Sequence, residues 1–178
     1  MKNLHIRPLE SKDLDRIIEI DHNYPTEYVW QMDIQSGERD LTVGFREVRL
    51  PRTMQVNFPL EIEEAMGSWD KSSGVLVAEV DGGLVGYISL KKGDSPTMVR
   101  ISGMAVVRRL RRQGAGTSLI LAAQSWAVQN NANRLQMEVQ SKNFPAISLA
   151  NKLGFEFCGY NDRYFDNQDI VLFFSKRL

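Results

Sequence analysis

Met104-Ala105-Val106-Val107-Arg108-Arg109-Leu110-Arg111-Arg112-Gln113-Gly114-Ala115-Gly116-Thr117 is the stretch that decides the fold. Val99, Ile101, Met104, Val106 and Val107 read as a strand running into it. Leu119, Ile120, Leu121, Ala122, Ala123, Trp126 and Val128 read as a helix running out of it, from Gly114 to Asn130. The two glycines let the backbone turn tightly and bring successive N–H groups close to a ligand, and the helix N-terminus behind them adds partial positive charge. That geometry binds phosphate. The nucleotide-binding patterns built on the same idea are missing: a Rossmann fingerprint would want a third glycine at Leu119, and a P-loop would want Gly-Lys-Ser/Thr.

The turn also concentrates charge. The 178 residues carry 22 basic and 22 acidic side chains, so no global field draws the chain to DNA or to an anionic bilayer. Four of the basic residues fall within Arg108 to Arg112, and the rest of the chain holds 18 basic against 22 acidic residues. Cations at a helix N-terminus are electrostatically misplaced unless an anion compensates them. The alternative reading is a solvated basic turn.

Outward from the turn, the pattern is that of one mixed sheet. Leu4, Ile6 and Pro8 predict an edge strand, and Ser11 an N-cap for a helix carrying Leu14, Ile17, Ile18 and Ile20. Asp21 to Trp30, polar and aromatic, suits a loop or short helix near a pocket mouth. Leu41, Val43 and Phe45, then Val48 and Leu50, alternate across a one-residue phase slip. They predict an inserted strand or hairpin with a bend, ending at Pro51. Val75, Val77 and Val80, then Asp81-Gly82-Gly83, then Leu84 to Leu90 form a hairpin signal. After the long helix come a strand at Leu135, Met137 and Val139, a helix from Phe144 to Leu153 stopped by Gly154, and closing strands at Phe155–Phe157 and Ile170–Phe174. An α/β mixed sheet with helices on both faces follows.

Length and an apolar fraction of 43% favour a single globular domain, residues 1–178, with 33–60 as a variable substrate-side insertion and 98–155 as the binding core. Cys158 alone excludes an internal disulfide, and with His5 and His22 as its only companions no Cys/His metal cluster is expected. Met1 to Arg7 lacks a signal-peptide run, and the longest nearly apolar stretch, Ser118 to Ala123, is far short of a membrane span. These features suit a soluble protein in a reducing, cytoplasmic setting.

Arg111-Arg112-Gln113-Gly114-Ala115-Gly116 resembles the Arg/Gln-x-x-Gly-x-Gly/Ala motif of the Gcn5-related N-acetyltransferase (GNAT) family. A second segment, Glu138-Val139 through Asn143, Ala146 and Leu149 to Lys152-Leu153-Gly154-Phe155, is similar to that family's second motif. The similarity covers about Val75 to Leu178. Within the family, Arg39 to Pro51 with Asn143-Phe144-Pro145-Ala146 and Cys158-Gly159-Tyr160 are similar to streptothricin acetyltransferases. Glu138 and the ending from Tyr160 to Leu178 resemble ribosomal-protein N-terminal acetylases.

The resemblance implies the acyl-CoA N-acyltransferase fold, a mostly antiparallel sheet of about seven strands, and acetyl-CoA as cosubstrate without a metal. It implies that Met104, Ala105 and Val106 pair by backbone with the pantetheine arm. Arg111, Arg112, Gln113, Gly114, Ala115, Gly116 and Thr117 would wrap the pyrophosphate, and Asn143 would touch the coenzyme from the other side. It also implies that the strands bearing Met104 and Glu138 splay apart around the thioester.

Acetyl transfer to an amine requires a neutral amine, a stabilised oxyanion and a proton for the departing thiolate. An alkyl amine of pKa about 10.4 is almost wholly protonated at neutral pH, so a carboxylate acting directly or through water would help. Glu138 matches the acidic position that related N-terminal acetyltransferases use as base; the alternative is an ordinary strand residue. The Val106 N–H is the expected oxyanion donor. The family's usual acid, a tyrosine, is replaced by Ala150, which leaves Tyr164 or Tyr160, water, or an unassisted thiolate.

The expected activity is N-acetylation of a primary amine by direct attack, with a small antibiotic- or polyamine-like acceptor favoured because residues 33–60 would restrict an open groove. Asp21, Glu27, Asp33 and Glu38 would suit a cationic acceptor or form a solvated acidic face, and His22 would line the acceptor pocket or be a surface histidine. Protein N-terminal or lysine acetylation, a coenzyme-binding module with little turnover, and a nucleic-acid interface on Arg108 to Arg112 are the alternatives. Zero net charge argues against the last, and no membrane partner is expected; a homodimer is compatible.

Overall fold

The computed structural model describes residues 3–58, 74–93 and 95–178. Met1, Lys2 and the last two residues of the expected insertion, Pro59 and Leu60, lie outside the described residues. Nine strands are described: β1 (Leu4–Pro8), β2 (Tyr24–Ser36), β3 (Leu41–Val56), β4 (Gly74–Val80), β5 (Gly83–Lys92), β6 (Met98–Val106), β7 (Arg134–Gln140), β8 (Glu156–Asn161) and β9 (Val171–Arg177). Three α-helices are described with them: α1 (Leu14–Ile18), α2 (Ala115–Gln129) and α3 (Phe144–Lys152). Seven strands form one sheet in the order β1-β4-β5-β6-β7-β9-β8, antiparallel except for the β6–β7 pair, and β2 and β3 form a separate ribbon.

The central strands explain the layering. Val75, Leu76, Val77 and Ala78 are all buried, as expected of a strand covered on both faces. Successive side chains take opposite sides. Val75 and Val77 join Tyr87, Ala105, Ile17 of α1 and Ile20 just after it. Leu76 and Ala78 join Ile88, Leu90 and the helical residues Leu119, Ile120, Ala123, Ile147 and Ala150. The sheet thus carries α1 on one face and α2 with α3 on the other. Asp81 and Gly82, at φ +50° and +79°, make the tight turn between β4 and β5.

One irregularity shapes the site. Ser89 pairs with Gly103 and Leu90 with Ile101, so Ser102 is an extra residue in β6. Its hydroxyl meets Ser89 Oγ at 3.1 Å. A bulge bends its strand and increases local twist. The β6–β7 pairing runs from Met98–Arg134 to Ile101–Met137 and stops there, although β6 continues to Val106 and β7 to Gln140. The ends of the two strands diverge, which gives the splay that the family resemblance implies.

Three sequence expectations need correction. Ser11 does not cap α1: it lies inside a 3₁₀ turn, Ser11–Asp13, with Glu10 before it, and the Asp13 carboxylate accepts the Glu10 N–H at 2.9 Å. The Asp21–Trp30 segment is not a loop or helix throughout, because Tyr24 onward is strand, paired with β3. That partner is the next strand, joined across residues 37–40, and the pairing overrides the weak local pattern. The β3 strand passes through Pro51 to Val56. Its register break lies between the Arg49–Tyr28 and Met54–Thr26 pairs, beyond the expected phase slip.

Candidate active site

The turn after β6 is built by backbone conformation. A 3₁₀ turn at Arg108–Leu110 leads to Arg112 at φ +63° and Gly114 at φ +99°, two left-handed residues that swing the chain into α2. Gly114 is the N-cap and no side chain caps the helix. The first helical bond runs from Ser118 N–H to the Gly114 carbonyl at 3.0 Å, which leaves the N–H groups of Ala115, Gly116 and Thr117 as the open end of the helix dipole. A Cβ added at Gly114 would meet nothing within 4 Å, so space lies above the turn. At Gly116 a Cβ would come within 3.3 Å of Leu149 Cδ2 and 4.0 Å of Met104 Cε. The β6 end, the α2 start and α3 therefore converge at the mouth of the splay.

The β6 edge offers backbone groups to that gap. Val107 N–H donates to the Val85 carbonyl on β5 at 2.8 Å, so strand alternation turns the N–H and carbonyl of Val106 to the opposite edge, toward the gap. The Val106 carbonyl accepts Arg111 Nε at 2.8 Å. Asn143 caps α3, its Oδ1 accepting Ala146 N–H at 3.1 Å. Gln113 Nε2 reaches the Arg109 carbonyl at 3.0 Å, while the Arg112 side chain is exposed.

Glu138 sits on β7 just past the last β6–β7 pair. Its Oε1 lies 2.9 Å from Arg100 Nε in an ion pair, and its Oε2 accepts the Tyr164 hydroxyl at 3.3 Å. Tyr164 comes from the segment between β8 and β9, and its ring meets Phe173, the cross-strand partner of Glu138. Of the two tyrosines considered as substitutes for the missing acid, Tyr164 joins Glu138, whereas Tyr160 stacks on Phe45 with ring centroids 5.2 Å apart. Ala150 is fully buried in the core, and a small side chain is what that packing holds.

The ribbon crosses the other side of the mouth. Tyr24 donates its hydroxyl to Gln140 Oε1 at 2.7 Å, Trp30 N–H donates to the Ser141 carbonyl at 2.8 Å, and Tyr28 stacks on Phe144 at 4.8 Å. Gln140 Nε2 in turn donates to Asp169, which Lys142 also contacts. His22 is held between Phe58 and Tyr87, and its Nε2 lies 2.9 Å from the Tyr87 hydroxyl. Burial pushes His22 below its ordinary pKa of 6.5, and the nearby Arg111 charge adds to the push. Burial also raises the Tyr24 and Tyr87 phenols, so both stay protonated donors at neutral pH. Arg100, Tyr87, Tyr24 and Gln140 were not among the sequence candidates. Arg100, Tyr87 and Gln140 are ordinary strand residues in the linear pattern, Tyr24 falls in the stretch read as a loop near a pocket mouth, and only pairing brings the four together. Elsewhere, a cavity of about 490 Å³ on the β1 edge is lined by Arg7, Asp13 and Glu79, which pair with one another and carry no part of this constellation.

Residues 36–155 match the model of the acetyltransferase (GNAT) family, about two thirds of the chain. The chain belongs to the GNAT family. It is 38% identical over 108 residues to the N-alpha-acetyltransferase of Sulfurisphaera tokodaii, covering 54% of this chain and 65% of that protein's length. It is 29% identical over 154 residues to the streptothricin acetyltransferase of Streptomyces lavendulae, covering 83% of this chain and 78% of the other. Its fold matches a Bacillus anthracis protein provisionally described as a streptothricin acetyltransferase, solved in complex with acetyl coenzyme A. The TM-score is 0.77, with 21% identity over 99% of this chain and all of the other. This GNAT chain has no helix among its described residues that is long and apolar enough to cross a membrane.

Proposed function

We propose that this GNAT chain is an acetyl-CoA-dependent N-acetyltransferase whose acceptor is a small cationic amine. The observation that carries the reading is the β6–β7 splay opening directly above the uncapped α2 N-terminus. The residues fit a thioester coenzyme: Arg108, Arg109 and Arg112 with the open N–H groups of Ala115, Gly116 and Thr117 suit a pyrophosphate, and the β6 edge beyond its last pair with β7 suits an amide-bearing arm. Acetyl-CoA supplies the activated acyl group when bound. Arg112 to Thr117 hold the pyrophosphate, with Asn143 opposite. In this reading the Val106 N–H donates to the oxyanion, and Glu138 draws the amine proton directly or through water. Tyr164 holds the Glu138 carboxylate, and the leaving thiolate relies on water.

The ribbon supports a small acceptor. Tyr24, Tyr28 and Trp30 lay it across the end of β7 and the start of α3, which narrows the groove that a peptide would need. Asp21, Glu27, Asp33 and Glu38, all exposed, make the run before Leu41 acidic, which suits a cation. A second reading, acetylation of a protein N-terminus, is favoured by the identity to the archaeal N-alpha-acetyltransferase.

Calorimetry with acetyl-CoA tests the coenzyme site. Micromolar binding by the wild type, lost in Arg112→Ala and Gly114→Asp, is expected. A folded wild type that does not bind overturns both the enzyme reading and a coenzyme-module reading. A turnover panel of streptothricin-type antibiotics, polyamines and peptides with a free α-amine then separates the acceptors. Faster turnover of the peptides would replace the small-amine reading with the second.

A further inference from the structure

We propose that Arg111 is a positioning residue for the acceptor side of the site: it seats a strap, residues 21–24, across the mouth of the β6–β7 gap and takes no part in holding the pyrophosphate. The inference rests on the acetyl-transfer reading for what the strap does, but the strap itself is visible in the geometry. All three guanidinium nitrogens of Arg111 are engaged by backbone carbonyls. Nε donates to Val106 at 2.8 Å, Nη1 to Asn23 at 2.7 Å, and Nη2 to Asp21. A guanidinium grips a phosphate through paired N–H groups on one flat edge, and here those edges are already turned onto the protein.

The two carbonyls on the strap flank His22, so Arg111 holds both sides of one residue. His22 is pinned from beneath by Tyr87, and the Asn23 side chain accepts the Phe58 N–H at 2.9 Å. The far end of the strap is tied to the other diverging strand, through the Tyr24 hydroxyl on Gln140 of β7. Four consecutive residues therefore bridge two strand ends that no longer bond each other. The β6 anchor of that bridge is Arg111, which lies beside the phosphate-suited residues of the same turn.

An amine approaching the gap from this side passes the strap. Without Arg111 the strap remains tied to β7 and to Tyr87 but is released from β6. The acceptor geometry suffers, and the helix N-terminus that suits the pyrophosphate does not. Arg112, one residue on, has the opposite profile, with an exposed side chain at the head of the open turn.

The test compares Arg111→Met, Arg111→Lys and Arg112→Ala by three readouts: amide hydrogen exchange of residues 21–24 without ligand, calorimetric acetyl-CoA affinity, and KM and kcat for whichever acceptor the turnover panel identifies. Arg111→Met is expected to speed exchange at 21–24 and to raise acceptor KM, each by about tenfold or more, as loss of charge-assisted hydrogen bonds implies. Its acetyl-CoA affinity should stay within about threefold of wild type, since no phosphate contact is removed. Arg111→Lys should restore exchange only in part, because one ammonium cannot span three carbonyls. Arg112→Ala should weaken acetyl-CoA binding and leave exchange at 21–24 unchanged. Unchanged exchange in Arg111→Met, or a loss of acetyl-CoA affinity equal to that of Arg112→Ala, overturns the proposal. If Arg111→Met fails to fold, Arg111→Lys carries the same comparison. A wild type that neither binds acetyl-CoA nor turns over sinks the functional reading, while the ligand-free exchange comparison still decides whether Arg111 holds the strap.

Discussion

Glu138 combines an ion pair to Arg100 with a hydrogen bond from Tyr164, and each partner limits how the carboxylate can swing. If it takes the amine proton, Glu138→Gln should lower kcat by about a hundredfold or more while leaving acetyl-CoA affinity unchanged. Equal kcat in the variant would hand the role to water or to another group. Tyr164→Phe removes only the tether, so a smaller fall in kcat is expected. Asn143 has a structural duty alongside any contact with coenzyme, because it caps α3. Asn143→Ala should cost about 1 kcal/mol in chemical denaturation. A variant that loses coenzyme affinity without losing stability would show that the two duties separate.

At the scale of elements, the turn into α2 is the part that sequence reading reaches most directly. Its information is local: glycine spacing sets the backbone, and the arginines set the field. Gly114 at φ +99° illustrates the point, for a side chain there is strained whatever space surrounds it. Gly114→Ala should therefore cost about 1 kcal/mol of stability, measurable by urea unfolding, and should weaken acetyl-CoA in parallel. The adjacent arginines were not separable by letter. Arg111 and Arg112 look alike in the motif, and only the left-handed backbone at Arg112 sends the two side chains to different work. The β2 strand was hidden for another reason. Its residues mix polar and aromatic types without clean alternation, and what makes it a strand is its pairing with the following strand, β3, in which Tyr24 meets Val56 and Trp30 meets Glu47. The splay was implied by family resemblance and not by periodicity; it begins beside a single extra residue, Ser102, where the β6–β7 pairing ends.

At the scale of the whole molecule, His22 and Asp13 are acid-sensitive points among the described residues. His22 is held below its ordinary pKa of 6.5, so the unfolded chain binds a proton that the folded one refuses. Stability is therefore whole above about pH 6.5 and declines as the pH falls toward the lowered folded value. His22→Gln should remove that loss, seen as melting temperatures that change less between pH 7.5 and about 5.5 than those of wild type. At the β1 edge the Arg7 guanidinium holds Asp13 below the usual 3.8, which places a second loss at more acidic pH, as that carboxylate is protonated. Asp13→Ala should cost about 2 kcal/mol, on the low side for a buried pair because Glu79 still holds the arginine. The sheet itself divides unevenly. Its strands on either side of β6–β7 are antiparallel neighbours, whereas β6 and β7 share only the short run from Met98–Arg134 to Ile101–Met137. This is the natural line of breathing: without ligand, amides along the inner edges of 102–106 and 138–140 should trade their hydrogens ahead of the rest of the sheet. A ligand lodged there staples both halves, and at a hundredfold excess over its Kd adds about 2.7 kcal/mol against opening. The weakest join in the ligand-free protein would then become, on saturation, the one most slowly exchanged.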